Sequence, residues 1–131
     1  GAAAALVDRC PGTRFIIDHY GNPNLRDLDD DNWRTAMAEL ARRDNVAVKL
    51  SGVTTALERG AWRSVDIAPA TDHLLEVFGS ERALYGSDWP VVKINSSLQG
   101  WYEAMVAMVG AYSEAEQRHI FCDNAVVWYG L

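Results

Sequence analysis

The sequence predicts an α/β fold on a parallel sheet, and three observations carry that expectation. Three short β-type runs, Arg14–His19 (RFIIDH), Val46–Ser51 (VAVKLS) and Ala83–Ser87 (ALYGS), each end in a polar or glycine-bearing group. The stretches between them are long enough to return over a sheet as crossover helices. Those stretches space their apolar residues at helical rather than alternating intervals. We therefore expect strands at about residues 14–19, 46–51 and 82–87, parallel, adjacent and in sequence order, with helices on one side.

Each element has a local reason. The opening GAAAALVDRCPG reads as the tail of a helix; it has no initiator methionine and lacks the basic start and cleavage pattern of a signal peptide. In the first crossover Trp33, Met37, Leu40 and Ala41 share a helical face, Asp30 or Asp31 can cap its start, and Arg42-Arg43 suit its negative C-terminal end. The cluster Asp27–Asp31 (DLDDD) reads as a solvated helix-opening surface. In the second crossover Pro69 can open a helix, Leu74, Leu75 and Phe78 share a face, and Gly79 stands where a C-terminal cap belongs. Leu98, Trp101, Met105, Met108 and Tyr112 trace a third helix, Ser113-x-x-Glu116 matches a capping box, and Asn124–Tyr129 forms a last helix. Repeats and low-complexity linkers are absent from the sequence.

Composition bounds the function. With 131 residues, 49% hydrophobic and 23% charged, the chain can bury the core of one domain, residues 1–131. A net charge of −6 opposes binding to nucleic acid or anionic lipid. Cys10 and Cys122 have no CxxC spacing and read as reduced thiols of a cytoplasmic protein. No window approaches the roughly 18 consecutive apolar residues of a membrane span.

Parallel strands with outer helices fit an open doubly wound sheet or part of a (β/α)₈ barrel. The phosphate-cradling GxGxxG and GxxxxGK[ST] patterns are absent, which weakens the nucleotide-binding form of the open sheet. Either way chemistry belongs at the strand C-terminal ends, which hold Asp18-His19, Lys49-Ser51 and Ser87-Asp88. In ALYGSDWP (Ala83–Pro90) an apolar run empties onto a carboxylate. Asp88 there either does chemistry or merely caps the turn that follows. Alternation along the first strand puts Phe15, Ile17 and His19 on one side and Ile16, Asp18 and Tyr20 on the other, so His19 points inward only if Asp18 points away.

FIIDHYGNP (Phe15–Pro23), NVAVKLSGV (Asn45–Val53), FGSERALYGSDWPV (Phe78–Val91) and IFCDNAVVWYGL (Ile120–Leu131) together resemble the C-terminal part of the amidohydrolase-related (amidohydrolase-2) family. The nearest branch is that of sugar-lactone and dicarboxylate-lactone hydrolases. The resemblance implies strands six to eight of a TIM barrel whose N-terminal half is absent. The family's first-strand His-x-His pair is missing among His19, His73 and His119, and the chain is about half the usual barrel length of roughly 250 residues. We therefore expect a fragment of a longer protein, the alternative being a complete small α/β domain.

The implied activity is hydrolysis of a lactone by water addition, with Asp88 as general base and His19 polarising the carbonyl. Asp18 is then a supporting acid. Lys49 and Ser51 share a strand face and either bind a substrate carboxylate or hydroxyl or fill the barrel. Trp89 adds an apolar wall that excludes water. Family relatives divide between metal-free and metal-dependent forms, so the cofactor is none or one divalent ion such as zinc, for which Asp88 and His19 are the candidate ligands. His73, His119, Trp33, Trp62, Trp101 and Trp128 read as packing residues. The alternatives are a metal-dependent decarboxylase of the same superfamily and a non-catalytic truncated remnant. The expected partner is a small-molecule substrate, and uncovered sheet edges would favour a homo-oligomer.

Overall fold

The computed structural model describes residues 1–27 and 31–131. Helix α1 (Ala2–Arg9) leads into β1 (Phe15–Ile17), α2 (Asp31–Ala41), β2 (Val46–Leu50), α3 (Ser64–Phe78) and β3 (Ala83–Tyr85). Then come α4 (Leu98–Val109), α5 (Glu114–Arg118), a π-helical turn (His119–Asp123) and α6 (Asn124–Tyr129). Among the described residues the strands form one parallel sheet in the order β1-β2-β3, with Phe15 opposite Val46 and Val48 opposite Ala83. The expected topology and order hold, with strands shorter than the apolar runs that mark them.

Register divides the sheet into two faces. Phe15, Ile17, Val46, Val48, Leu50, Ala83 and Tyr85 meet the core residues of α1 to α4, among them Met37, Leu74, Trp101 and Met105. Ile16, Ala47, Lys49 and Leu84 take the opposite face, which Ser51 and Gly86 continue. The side chain of Tyr129, at the end of α6, comes beside Lys49 on this second face.

Local signals account for most helix ends. Ser113 and Glu116 form the capping box, with Ser113 N donating to Glu116 Oε2 at 2.9 Å and Glu116 N to Ser113 Oγ at 3.3 Å. Gly79 at φ 73° closes α3. Pro69 does not open that helix: α3 starts at Ser64, where Arg63 N donates to Asp66 Oδ2 at 2.7 Å. A proline inside a helix lacks the donor for the carbonyl four residues back, here that of the exposed Val65, where water can serve instead. The Asp30 cap lies outside the described residues, as does most of the Asp27–Asp31 cluster. His73 and Trp33 pack ring to ring at 5.3 Å, and His73 Nε2 lies 3.1 Å from the Arg34 carbonyl, a satisfied packing role.

Asn124 ties the C-terminal segment to the sheet. Its side chain is almost fully buried and donates from Nδ2 to Ser80 O at 2.6 Å and Ala83 O at 2.8 Å, where β3 begins. Asn124→Ala should therefore destabilise the fold by about 2 kcal/mol, the net value of two buried hydrogen bonds. The check is a lower urea midpoint at unchanged slope.

Candidate active site

The site begins where β1 stops early. His19, Tyr20, Gly21 and Asn22 all have positive φ, 54°, 57°, 67° and 54°, a conformation costing L residues roughly 1–2 kcal/mol each. Packing holds this left-handed turn in place. The Tyr20 ring is fully buried, its hydroxyl lying 3.1 Å from Thr71 Oγ1 and 3.4 Å from Met105 Sδ, and Trp33 Nε1 donates to Tyr20 O at 2.9 Å. Burial pushes the Tyr20 phenol far above its ordinary pKa, only partly offset by Thr71, so it stays a neutral anchor. Gly21 suits its φ of 67°, and an added Cβ would sit 2.8 Å from Met37 Cε, so the end of that side chain would have to shift.

The turn overrides the strand alternation expected for His19, whereas Asp18, still extended at φ −73° and ψ 152°, keeps the face of Ile16. Both side chains reach residues of the second face of the sheet. His19 Nδ1 lies 2.9 Å from Ser51 Oγ, and Asp18 Oδ1 lies 3.3 Å from Lys49 Nζ. Asp18 therefore stays on the side of Ile16 that alternation gives it, and His19 joins it there because the extended chain ends at Asp18 and the left-handed turn swings the imidazole onto the same face.

Asp88 approaches from the end of β3. It too has positive φ, 55°, in a turn where Val92 N donates to Asp88 O at 2.9 Å and Trp89 N to Ser87 Oγ at 3.2 Å. Trp101, buried in α4, donates from Nε1 to Gly86 O at 2.8 Å, fixing the backbone two residues before the acid. The Asp88 carboxylate is 13% exposed and faces His19 Nε2 at 3.9 Å. That is beyond a direct hydrogen bond.

Lys49 completes the cluster from β2. Burial works against its charge, but Asp18 and Tyr129 outweigh that and raise its pKa above the ordinary value, so it remains an ammonium. Gly86 makes this packing possible: a Cβ there would lie 2.8 Å from Lys49 Cε and 2.9 Å from Ser51 Cβ. Trp89 stands 65% exposed beside Asp88 in sequence and makes no side-chain hydrogen bond among the described residues. A separate groove of about 270 Å³, between Arg26 and the Leu57–Asp66 segment, is lined by none of these side chains.

The sequence-derived set thus converges in part. His19, Ser51 and Asp88 come together, Lys49 is paired with Asp18, and Trp89 stays at the rim. Gly52 and Tyr129 went unmarked by sequence reasoning. The glycine directly after an apolar strand was a signal for Gly52, whereas Tyr129 has no local signal.

Parallel strands that gather a carboxylate, an imidazole and an ammonium at their C-terminal ends fit the placement of functional residues in β/α-barrel proteins. The amidohydrolase family model matches residues 1–131, and the chain belongs to that family. It is 34% identical over 125 residues to an L-fucono-1,5-lactonase of Burkholderia multivorans, an alignment covering 88% of this chain and 40% of the relative. A second L-fucono-1,5-lactonase, from Burkholderia ambifaria, is 36% identical over 94 residues, 71% of this chain and 32% of that protein. The crystal structure of a Burkholderia multivorans amidohydrolase with bound zinc superposes with a TM-score of 0.90 at 31% identity, covering 98% of this chain and 48% of the other. The chain spans less than half the length of these relatives. No helix among the described residues is long and apolar enough to cross a membrane.

Zinc can be tested against the donor set. His19 Nε2 and Asp88 Oδ1, 3.9 Å apart, can both reach one ion at ordinary bond lengths of about 2.0–2.2 Å. Catalytic zinc takes about three protein ligands plus water, and the described residues hold no cluster of three or more His, Cys, Asp or Glu fit for a metal. These two residues alone would make at most part of such a centre. Calorimetry on the 131-residue chain should accordingly find no tight stoichiometric zinc, and a submicromolar Kd would contradict that.

Proposed function

We propose that this chain carries the acid–base half of a lactone-hydrolysing site, with Asp88 as general base and His19 as hydrogen-bond donor to the lactone carbonyl. The observation that supports it most is the facing pair itself, a largely buried carboxylate and an imidazole 3.9 Å apart, each held by a left-handed turn at a strand end. A gap of that size leaves the carboxylate free to take a proton from water while Nε2 addresses the carbonyl oxygen. Water adds to the carbonyl carbon as its proton passes to Asp88, and His19 stabilises the negative charge on the oxygen. Collapse of the tetrahedral intermediate breaks the ring C–O bond. The departing alkoxide takes up the proton and a hydroxy acid leaves.

Lys49 adds positive charge for a substrate carboxylate or hydroxyl, in competition with Asp18, and Trp89 offers an apolar wall at the rim. In a metal-bound form an unprotonated His19 Nε2 and Asp88 would instead be ligands of a divalent ion, which would polarise a carbonyl and make water more acidic in place of the Nε2–H donor. The substrate class we infer is a sugar-acid lactone, on the likeness to two L-fucono-1,5-lactonases. A panel of sugar-acid lactones, assayed with the intact protein that contains these residues and followed by acid release, tests this. Hydrolysis above the spontaneous rate is the expected result, and inertness toward the whole panel would overturn the reading.

A further inference from the structure

We propose that Ser51 and Gly52 are positioning residues that set the proton and the plane of His19, with the Ser51 hydroxyl donating to Nδ1 so that the imidazole carries its hydrogen on Nε2. The proposal rests on the lactonase reading for its catalytic meaning, although its geometry stands apart from that reading.

Ser51 is completely buried, and among the described residues its hydroxyl has one partner, His19 Nδ1 at 2.9 Å. A hydroxyl has one proton to place. If Nδ1 carried the hydrogen and donated to Ser51, the serine proton would be left without an acceptor in a dry position, costing about 1–3 kcal/mol. If Ser51 donates, its proton is satisfied and the imidazole hydrogen sits on Nε2. That nitrogen faces Asp88 Oδ1, so the same tautomer also directs a donor rather than a lone pair toward a carboxylate.

Gly52 fixes the ring from the other side. A Cβ at residue 52 would lie 2.4 Å from His19 Nδ1, 2.6 Å from Cγ and 3.0 Å from Cε1, so the imidazole packs against a bare α-carbon. The φ of 71° at Gly52 independently excludes most side chains there. Two consecutive residues at the end of β2 therefore hold one ring, one by a hydrogen bond and one by contact. In the proposed reaction this directs Nε2–H at the carbonyl before substrate arrives.

Histidine ¹⁵N NMR on the protein decides the matter, with a His19→Asn variant to assign the resonances among the three histidines. The expected wild-type spectrum shows His19 as a single Nε2-protonated tautomer with a hydrogen-bonded Nδ1. Ser51→Ala should shift the Nδ1 resonance and mix the tautomers, and Gly52→Ala should displace the ring. A His19 proton on Nδ1, or a spectrum unmoved by Ser51→Ala, overturns the proposal. With a turned-over lactone, Ser51→Ala should lower kcat about tenfold with KM little changed, the scale on which outer hydrogen-bond partners act. A raised KM at unchanged kcat would instead make Ser51 a substrate contact. Failure of the wild-type protein on every lactone would sink the hydrolase reading while the NMR result on Ser51 stands.

Discussion

Asp88→Asn is expected to lower kcat for lactone opening by at least about 10²-fold, roughly 2.7 kcal/mol of transition-state stabilisation, while leaving the fold intact. The substitution keeps size and most hydrogen bonding but removes the proton acceptor. Asparagine also suits the backbone, because Asp88 sits at φ 55° and Asn is among the few residues that enter the left-handed region readily. An alanine would confound chemistry with strain at the same position. The turn bond from Val92 N to Asp88 O involves the backbone alone and survives. If Asp88 only caps its turn, Asn caps nearly as well and activity stays near wild type. Full activity in the Asn variant would remove Asp88 from the reaction.

The elements legible in the sequence are those whose cause is local. The Ser113-x-x-Glu116 box, the Gly79 cap and the Asn124–Tyr129 helix all appear where short-range signals put them. The site residues were visible because apolar strands emptied into Asp18-His19, Lys49-Ser51 and Ser87-Asp88. Their orientation was not visible. Alternation assumes extended backbone, and the chain leaves that conformation after Asp18 because Tyr20 is drawn into the core beside Thr71 and Met105, 51 and 85 residues away. The same limit hides Tyr129, which reaches Lys49 from across the sheet. Pro69 misled for a different reason: its missing donor is tolerated in α3 because the carbonyl it leaves belongs to an exposed residue.

His19→Asn should cost about 10²–10³-fold in kcat, the range for loss of one donor at a developing oxyanion. Asparagine tolerates the φ of 54° at this position, and its short amide can occupy the place of Nδ1 beside Ser51. What it lacks is any atom where Nε2 faces Asp88. The variant therefore separates the turn and the Ser51 contact, which it keeps, from the donor, which it loses. His19→Gln makes the complementary test, since its longer amide can return an N–H near the Nε2 position and should recover part of the rate at some cost in thermal stability, the left-handed turn being less suited to it. The order wild type, then Gln, then Asn in kcat, with stability ranked differently, would identify Nε2–H as the acting group. Combining His19→Asn with Asp88→Asn should cost much less than the product of the single losses, because both groups serve one transition state and neither is fully useful without the other. Losses that simply multiply would mean the two residues act in separate steps, and a His19→Asn protein with near wild-type kcat would show that the imidazole takes no part in opening the lactone.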